Sequence, residues 1–257
     1  MKNTALITGA SSGIGRQLAW VHAETKGDLV LIARREEALH ELRDQLIAEH
    51  GIEVICIPLD LNEPGAVERL FQEVTEQGIE VEYLINNAGF GLHGLYHEQD
   101  WATDEAMIHL NVTVLCEMTH RFLPGMIHRK RGRILNVGST AGFQPGPLMA
   151  VYYASKAYVL SFSQAIAEEV ERYGITVTVL CPGPVDTEFF DRADAKQVSM
   201  FKTGATARSV AELGYRAMLK GRLVVINEWR LWFIQNWINP WVPRRAMLKV
   251  SRWLLET

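Results

Sequence analysis

Tyr152 and Lys156 stand four residues apart in Val-Tyr-Tyr-Ala-Ser-Lys-Ala, and Ser139 lies thirteen positions upstream. Residues i and i+4 leave a helix on one face, so the spacing aims a phenol and an ammonium into one cleft while Tyr153 faces elsewhere. A tyrosine with a pKa near ~10 is a poor acid or base at neutral pH, but an adjacent Lys⁺ favours the phenolate and draws that pKa toward the working range. The pair predicts a proton-donating site. Alone the spacing is a weak signal, because a tyrosine and a lysine at helical interval also decorate solvated faces.

A second constellation opens the chain. The apolar run Ala5-Leu6-Ile7 leads directly into Thr8-Gly9-Ala10-Ser11-Ser12-Gly13-Ile14-Gly15, which reads as strand, glycine-rich turn and helix. Glycines permit a tight turn and close approach of backbone to a ligand, and a helix N-terminus offers unpaired N–H groups and a positive dipole end to a pyrophosphate. The spacing Gly-x-x-x-Gly-x-Gly differs from the general dinucleotide pattern Gly-x-Gly-x-x-Gly. A plain turn would explain one glycine, not three glycines with two serines.

These groups need a scaffold, and the chain alternates strand and helix patterns with no repeat, low-complexity segment or linker. Short apolar runs predict strands at Ala5–Thr8, Leu29–Ala33, Glu53–Leu59, Tyr83–Asn86, Arg133–Val137, Thr176–Cys181 and Leu223–Ile226. Helices are expected near Gly13–Thr25, Glu36–His50, Glu63–Gln77, Thr103–His128, Tyr152–Tyr173 and Thr206–Leu219. The alternation implies an α/β fold, a Rossmann-like doubly wound parallel sheet with helices on both faces and its ligand at the carboxyl ends of the strands.

In this order along the chain, Thr8 to Gly15, Asp60, Asn86-Asn87-Ala88-Gly89, Asn111, Ser139, Tyr152 with Lys156, and Pro182-Gly183-Pro184-Val185-Asp186-Thr187 resemble the short-chain dehydrogenase/reductases, single-domain NAD(P)-dependent enzymes. The resemblance spans most of the 257 residues. It implies about seven strands in the order 3-2-1-4-5-6-7. It also implies a cofactor held by Gly9, Ser11, Ser12, Gly13, Ile14 and Gly15, by Asp60 and Leu61 on the adenine side, and by Asn87, Ala88 and Gly89 near the adjoining ribose. Pro182, Gly183, Val185 and Thr187, together with Tyr152 and Lys156, complete the cofactor set. Asn111, within His109-Leu110-Asn111-Val112, matches the family residue that holds a water linking the lysine to solvent.

Cofactor preference is read where the second strand ends, at Leu31-Ile32-Ala33-Arg34-Arg35. An acidic residue there holds a ribose 2′-hydroxyl, whereas arginine accommodates a 2′-phosphate. No carboxylate occupies the position, so NADP(H) is expected over NAD(H), with Arg34 as the contact and Arg35 opening a helix. The expected chemistry is hydride transfer between nicotinamide and a carbonyl or alcohol. Tyr152 is the proton donor, Lys156 lowers its pKa and holds the nicotinamide ribose, and Ser139 bonds the carbonyl oxygen. A catalytically silent dinucleotide sensor would show a substitution in the Ser/Tyr/Lys set, and none is present. Sugar-nucleotide epimerases share Tyr-x-x-x-Lys but resemble longer chains with a larger C-terminal domain.

Composition sets outer bounds. A net charge of −4 and a sequence pI of about 6.1 leave no nucleic-acid footprint. Cys56, Cys116 and Cys181 are odd in number and widely spaced, which fits buried thiols in a reducing compartment. The first strand begins within five residues of Met1, so no signal peptide is expected, and no apolar run reaches ~18 residues. A cytoplasmic protein is the expectation.

Three segments fall outside the motifs. His93 and His97 with Glu98 have ligand-like spacing, but Gly94 and the preceding Asn-Ala-Gly-Phe-Gly argue for a loop beside the substrate entrance, and no metal is expected. The connection Asp186 to Gly204 has the length of a lid, and its Phe189, Phe190, Met200 and Phe201 suggest an apolar substrate of ketone, steroid-like or 3-oxoacyl type. From residue 229 to the end lie five of the seven tryptophans and a local charge of +4, from Arg230, Arg244, Arg245, Lys249 and Arg252 against Glu256. Cover of the substrate cleft or a subunit interface, in a homodimer or homotetramer as the resemblance suggests, is favoured for this segment. Peripheral contact with a membrane is the alternative. Pro240, Pro243 and the charges between apolar residues argue against a bilayer span.

Overall fold

The N-terminal apolar run forms β1 (Thr4–Thr8) and the run before the two arginines forms β2 (Leu29–Ala33), both buried along their whole length. Strand side chains alternate between faces. Accordingly Ala5 and Ile7 join one core cluster and Leu6 the other, and Leu29 and Leu31 are divided in the same way from Val30 and Ile32. A sheet apolar on both faces requires helices on both.

A computed structural model describes residues 1–189, 193, 198 and 204–256 and shows that cover. One cluster is enclosed by α1 (Gly13–Ala23), α2 (Glu36–His50) and the later helix Ala207–Leu219. The other lies beneath α3 (Ala66–Glu76) and a long element comprising α4 (Trp101–Ile108), a wide π-type turn (His109–Val114) and α5 (Leu115–Arg129), with α6 (Ala150–Glu171) beside them. β3 (Val54–Pro58), β4 (Val81–Asn86), β5 (Gly132–Val137), β6 (Ile175–Cys181) and β7 (Val224–Ile226) complete a seven-stranded sheet in the order β3-β2-β1-β4-β5-β6-β7. Every neighbouring pair is parallel. The order reverses between β1 and β4, so their carboxyl ends flank the crevice where such folds take ligands.

The strands fall where the apolar runs place them, but the expected helix from Thr103 to His128 does not run regularly. It begins at Trp101, capped by Asp100, whose carboxylate accepts from Thr103 N at 3.2 Å. It then widens at His109–Val114, a local insertion of the kind that recurs at functional sites.

Two polar groups lie deep in the core. Asn86 and Asn136 are register partners on β4 and β5, and Asn86 Nδ2 donates to Asn136 Oδ1 at 2.9 Å and to Thr119 Oγ1 at 3.3 Å. Asn136 Nδ2 continues the chain to Ser163 Oγ at 2.9 Å. His22, fully buried, has its Nε2 2.8 Å from Asn3 O and its Nδ1 2.8 Å from Tyr215 OH. A carbonyl only accepts, so Nε2 carries the proton and Nδ1 accepts from the tyrosine. Burial pushes the His22 pKa down to about 4.

Past β6, a two-residue ladder pairs Val185–Asp186 with Ala205–Thr206. Of the expected lid, Phe190, Met200 and Phe201 lie outside the described residues. The C-terminal segment forms helices at Trp229–Phe233 and Arg244–Glu256, joined by wide and tight turns through Ile234–Trp241. No helix among the described residues is long and apolar enough to cross a membrane.

Candidate active site

The glycine turn is shaped by close approach. Gly9 and Gly13 have φ of +68° and +53°, in the left-handed region. A Cβ on Gly15 would stand 2.4 Å from Gly9 O and 2.5 Å from Asn87 Nδ2, so a side chain there would displace the turn. The end of β4 braces it: Asn87 Nδ2 donates to Thr8 O at 2.9 Å, and Thr8 Oγ1 accepts from the N–H groups of Asn87 and Ala88, each at 3.0 Å. Ser12, the residue that opens α1, makes no side-chain cap, which leaves first-turn N–H groups for an anion. Thr187 Cγ2 comes within 3.2 Å of the Cβ position of Gly13, bringing the segment after Pro182 to the same helix end. These features fit a dinucleotide pyrophosphate.

The two arginines after β2 take different partners. Arg34 Nη1 lies 3.6 Å from Asp60 Oδ2, and Asp60 Oδ1 accepts from Asn62 N at 3.0 Å. Leu61 beside it is buried. Arg35 does open α2, yet its guanidinium also turns back to Ser11 Oγ at 3.3 Å and to Glu188 at 3.1 Å. The sequence offers no sign of that contact, because Glu188 is far away along the chain.

The second half of the site gathers at the carboxyl ends of β4, β5 and β6. Ser139 follows β5 as the cap of a short helix, its Oγ accepting from Ala141 N at 3.1 Å. Ser139 is also the one influence that draws the Tyr152 pKa down. Lys156 is buried on the same face of α6, with Nζ donating to Val137 O at 2.9 Å and lying 5.8 Å from the centre of the Tyr152 ring. Burial dominates both groups: the Tyr152 pKa is pushed up to about 12, and the Lys156 pKa down to about 8. The expected lowering of the Tyr152 pKa by Lys156 is therefore reversed by desolvation. Tyr153 does point elsewhere, into a cluster with Ala141, Met149 and Leu255.

Asn111 sits in the wide turn of the α4–α5 element and is buried. Its Nδ2 donates to Phe90 O at 2.9 Å and to Ser155 Oγ at 3.1 Å, and its Oδ1 accepts from Phe90 N at 3.1 Å. The amide side chain thus grips the strand-end loop, and Ser155 links it to Tyr152 O at 2.7 Å. Gly89 lies between Asn111 and Lys156: its Cβ position is 2.8 Å from Asn111 Oδ1 and 3.7 Å from Lys156 Nζ. Beyond β6, Pro182 O accepts from Thr140 N at 2.9 Å, Gly183 N donates to Asn227 Oδ1 at 2.9 Å, and Val185 is buried. Every residue proposed from the sequence thus lies on this one edge of the sheet.

The glycine turn, its brace on β4 and the Ser/Tyr/Lys group occupy a stretch that matches the family model for short chain dehydrogenases over residues 3–198. The chain belongs to this family. As a short-chain dehydrogenase/reductase it is an oxidoreductase of a family that binds a nicotinamide cofactor and acts on small molecules. It is 36% identical over 221 residues to sulfoacetaldehyde reductase 2 from Chromohalobacter salexigens, covering 83% of this chain and 87% of that protein. Its structure resembles a short-chain dehydrogenase from Sphingobium yanoikuyae in complex with NADPH, with a TM-score of 0.83, 32% identity and coverage of 90% and 89%. A Burkholderia phymatum relative in complex with NAD matches at 0.83 with 26% identity, covering 98% and 95%.

Three parts of the dehydrogenase site escaped the sequence reading. Gly91 lets Tyr152 and Phe189 converge, since its Cβ would lie 2.9 Å from Phe189 Cζ and 3.1 Å from the Tyr152 ring, and the two rings are 5.2 Å apart. Cys181 lies buried beside Tyr152 and Lys156, and burial raises its pKa to about 12, so it adds no negative charge there. His93, in the loop expected beside the substrate entrance, has its Nε2 2.9 Å from Leu255 O, tying the loop to the C-terminal helix. Only the second glycine of Gly89-Phe90-Gly91 carried any signal, as a possible close approach.

Proposed function

We propose that this short-chain dehydrogenase is an NADPH-dependent carbonyl reductase, working reversibly on an apolar ketone, steroid-like compound or 3-oxoacyl chain. The observation that carries this reading is the pairing of Tyr152 with buried Lys156 on α6, 5.8 Å from ring centre to Nζ, with Phe189 and Gly91 packed against the Tyr152 ring. When bound, the nicotinamide supplies the hydride for a carbonyl carbon. Ser139 donates a hydrogen bond to the carbonyl oxygen, and Tyr152 delivers its proton there as negative charge develops. A pKa near 12 keeps Tyr152 protonated at neutral pH, as a donor must be, and Lys156 stays charged up to about pH 8 beside it. Asn111 positions Phe90 and, through Ser155, the start of α6.

Arg34 and Arg35 together support the preference for a 2′-phosphate, with Arg35 already turned toward the glycine turn. The chain acts as one unit in this proposal. An apolar groove bordered by Ile108, Val112, Val151 and Tyr158, outside the site, supports a homodimer or homotetramer. The test is Tyr152→Phe against a panel of ketones and 3-oxoacyl thioesters. Turnover should fall by about 10²–10⁴-fold, with NADPH binding nearly unchanged. Substantial turnover by that variant sinks the assignment.

A further inference from the structure

The segment after Glu228 is built in reverse for a helix facing water. Leu231, Gln235 and Asn239, at intervals of four, face the protein: Leu231 Cδ1 lies 2.5 Å from the Cβ position of Gly183, Gln235 is buried, and Asn239 Nδ2 donates to Gln144 Oε1 at 3.0 Å. Two polar side chains, Gln235 and Asn239, are thus among the inward-facing residues. Trp229, Trp232, Phe233, Trp237, Ile238 and Trp241 point out, with Trp229 and Trp241 at 74% and 84% exposure. A surface helix ordinarily turns its apolar stripe inward and its polar face outward. Ten of the nineteen exposed large apolar side chains among the described residues belong to residues 229–253, so the patch is a local feature and not a general property of the surface.

Cations are interleaved with this patch. Arg230, Arg244, Arg245, Lys249 and Arg252 are all exposed. Of these five, only Arg252 is ion-paired with a described residue, Glu256 at 2.6 Å, while Arg230 lies over the Trp229 ring. A two-fold contact with a second copy would set this positively charged patch against itself. Anionic headgroups neutralise them, and tryptophan side chains settle at the level of the headgroups.

We propose that residues 229–256 form a docking face for an anionic phospholipid membrane, holding the substrate side of the site against the bilayer. The second part follows from where the segment is anchored. Leu255 is buried among Ala141, Met149 and Tyr153 with Tyr152 packed against them, its carbonyl accepts from His93, and Leu231 covers Gly183. The segment that carries the docking face on its outer side therefore packs against the Tyr152 and Gly183 region on its inner side. The membrane docking itself does not depend on the carbonyl-reductase reading, whereas the placement of the substrate side rests on it.

The experiment is co-sedimentation of the full-length protein with vesicles of mixed phosphatidylglycerol and phosphatidylcholine, beside vesicles of phosphatidylcholine alone. The expected result is binding to the anionic vesicles, a blue shift of tryptophan emission, and release by high salt. A Trp237→Ala/Trp241→Ala variant should bind about tenfold more weakly, and Arg244→Glu/Arg245→Glu should lose the preference for anionic lipid. The substituted side chains are exposed, so NADPH affinity and Tm of both variants should match the parent, which separates lost docking from lost folding. Failure of the parent protein to bind anionic vesicles overturns the proposal, whatever the variants do. So does equal binding by parent and both variants. A tryptophan variant that changes only oligomeric mass would assign the face to a second copy and overturn it too.

Discussion

Arg35 and Glu188 meet at 3.1 Å, joining the start of α2 to the segment that follows β6. The same guanidinium touches Ser11 in the glycine turn. A 2′-phosphate would find this arginine pre-positioned but already paired with a carboxylate. The pair is about half exposed, so it is worth at most ~1 kcal/mol. Glu188→Gln should raise NADPH affinity by up to about fivefold and leave NADH affinity unchanged. Arg34→Ala combined with Arg35→Ala should weaken NADPH by about 10–100-fold, toward the NADH value. Parallel fluorescence titrations read both effects, and an intact preference in the double variant refutes the phosphate assignment.

Lys156 costs the fold stability. Its pKa, lowered from 10.5 to about 8, means that the unfolded chain binds its proton more tightly. The penalty is full below pH 8 and fades as pH rises from 8 to 10.5. Lys156→Met should therefore be inactive yet melt higher at pH 7, by a few degrees after allowing about 1 kcal/mol for the lost bond to Val137 O. The difference should shrink between pH 8 and 10.5. Calorimetry across that range checks it, and a lower Tm at pH 7 with no such trend would contradict the desolvation argument.

His22 works in the acid range. With a pKa near 4 in the fold against 6.5 for the free side chain, the unfolded state takes up the proton first. Stability is retained above pH 6.5 and declines as pH falls from 6.5 to 4, by a total on the order of 3 kcal/mol. His22→Gln should flatten that stretch of the curve whatever its effect on absolute stability. Denaturant unfolding at several pH values measures the slope; an unchanged slope would assign the acid sensitivity to other groups.

Gly15→Ala tests the turn itself. The added methyl would lie 2.4 Å from Gly9 O and press on the Asn87 amide that braces the turn. Nicotinamide-cofactor affinity should fall by at least ~100-fold while far-UV dichroism is preserved. Near-parental affinity would show that the turn can relax without cost to the cradle.

The sheet and the proximity of Tyr152 to Lys156 were legible because their signals are local. Residues 29–33 read as a strand from five consecutive apolar side chains, and Tyr152 with Lys156 reads as a pair because helical geometry fixes their separation. What stayed hidden depends on neighbours distant along the chain. The wide turn at His109–Val114 accompanies the grip of Asn111 on Phe90, and Arg35 was assigned to a helix start because Glu188 lies far away in sequence. The direction of the Tyr152 shift depends on how much water the fold removes, which no spacing reveals. The tryptophans announced an unusual C-terminal surface, but not that Gln235 and Asn239 would be the residues turned inward.

Asn86 and Asn136 lie side by side on β4 and β5, with their amides joined in the core. Sliding one strand by a single residue would point one amide into the opposite apolar layer and leave both without their partner, a loss of several kcal/mol. The two side chains therefore act as a vernier between strands. Asn87 begins immediately after one and Ser139 three residues after the other, so the offset between these two positions is fixed by residues buried in the core. Replacing this pair by an apolar pair of equal volume would preserve the core yet free the two halves of the site to drift out of step.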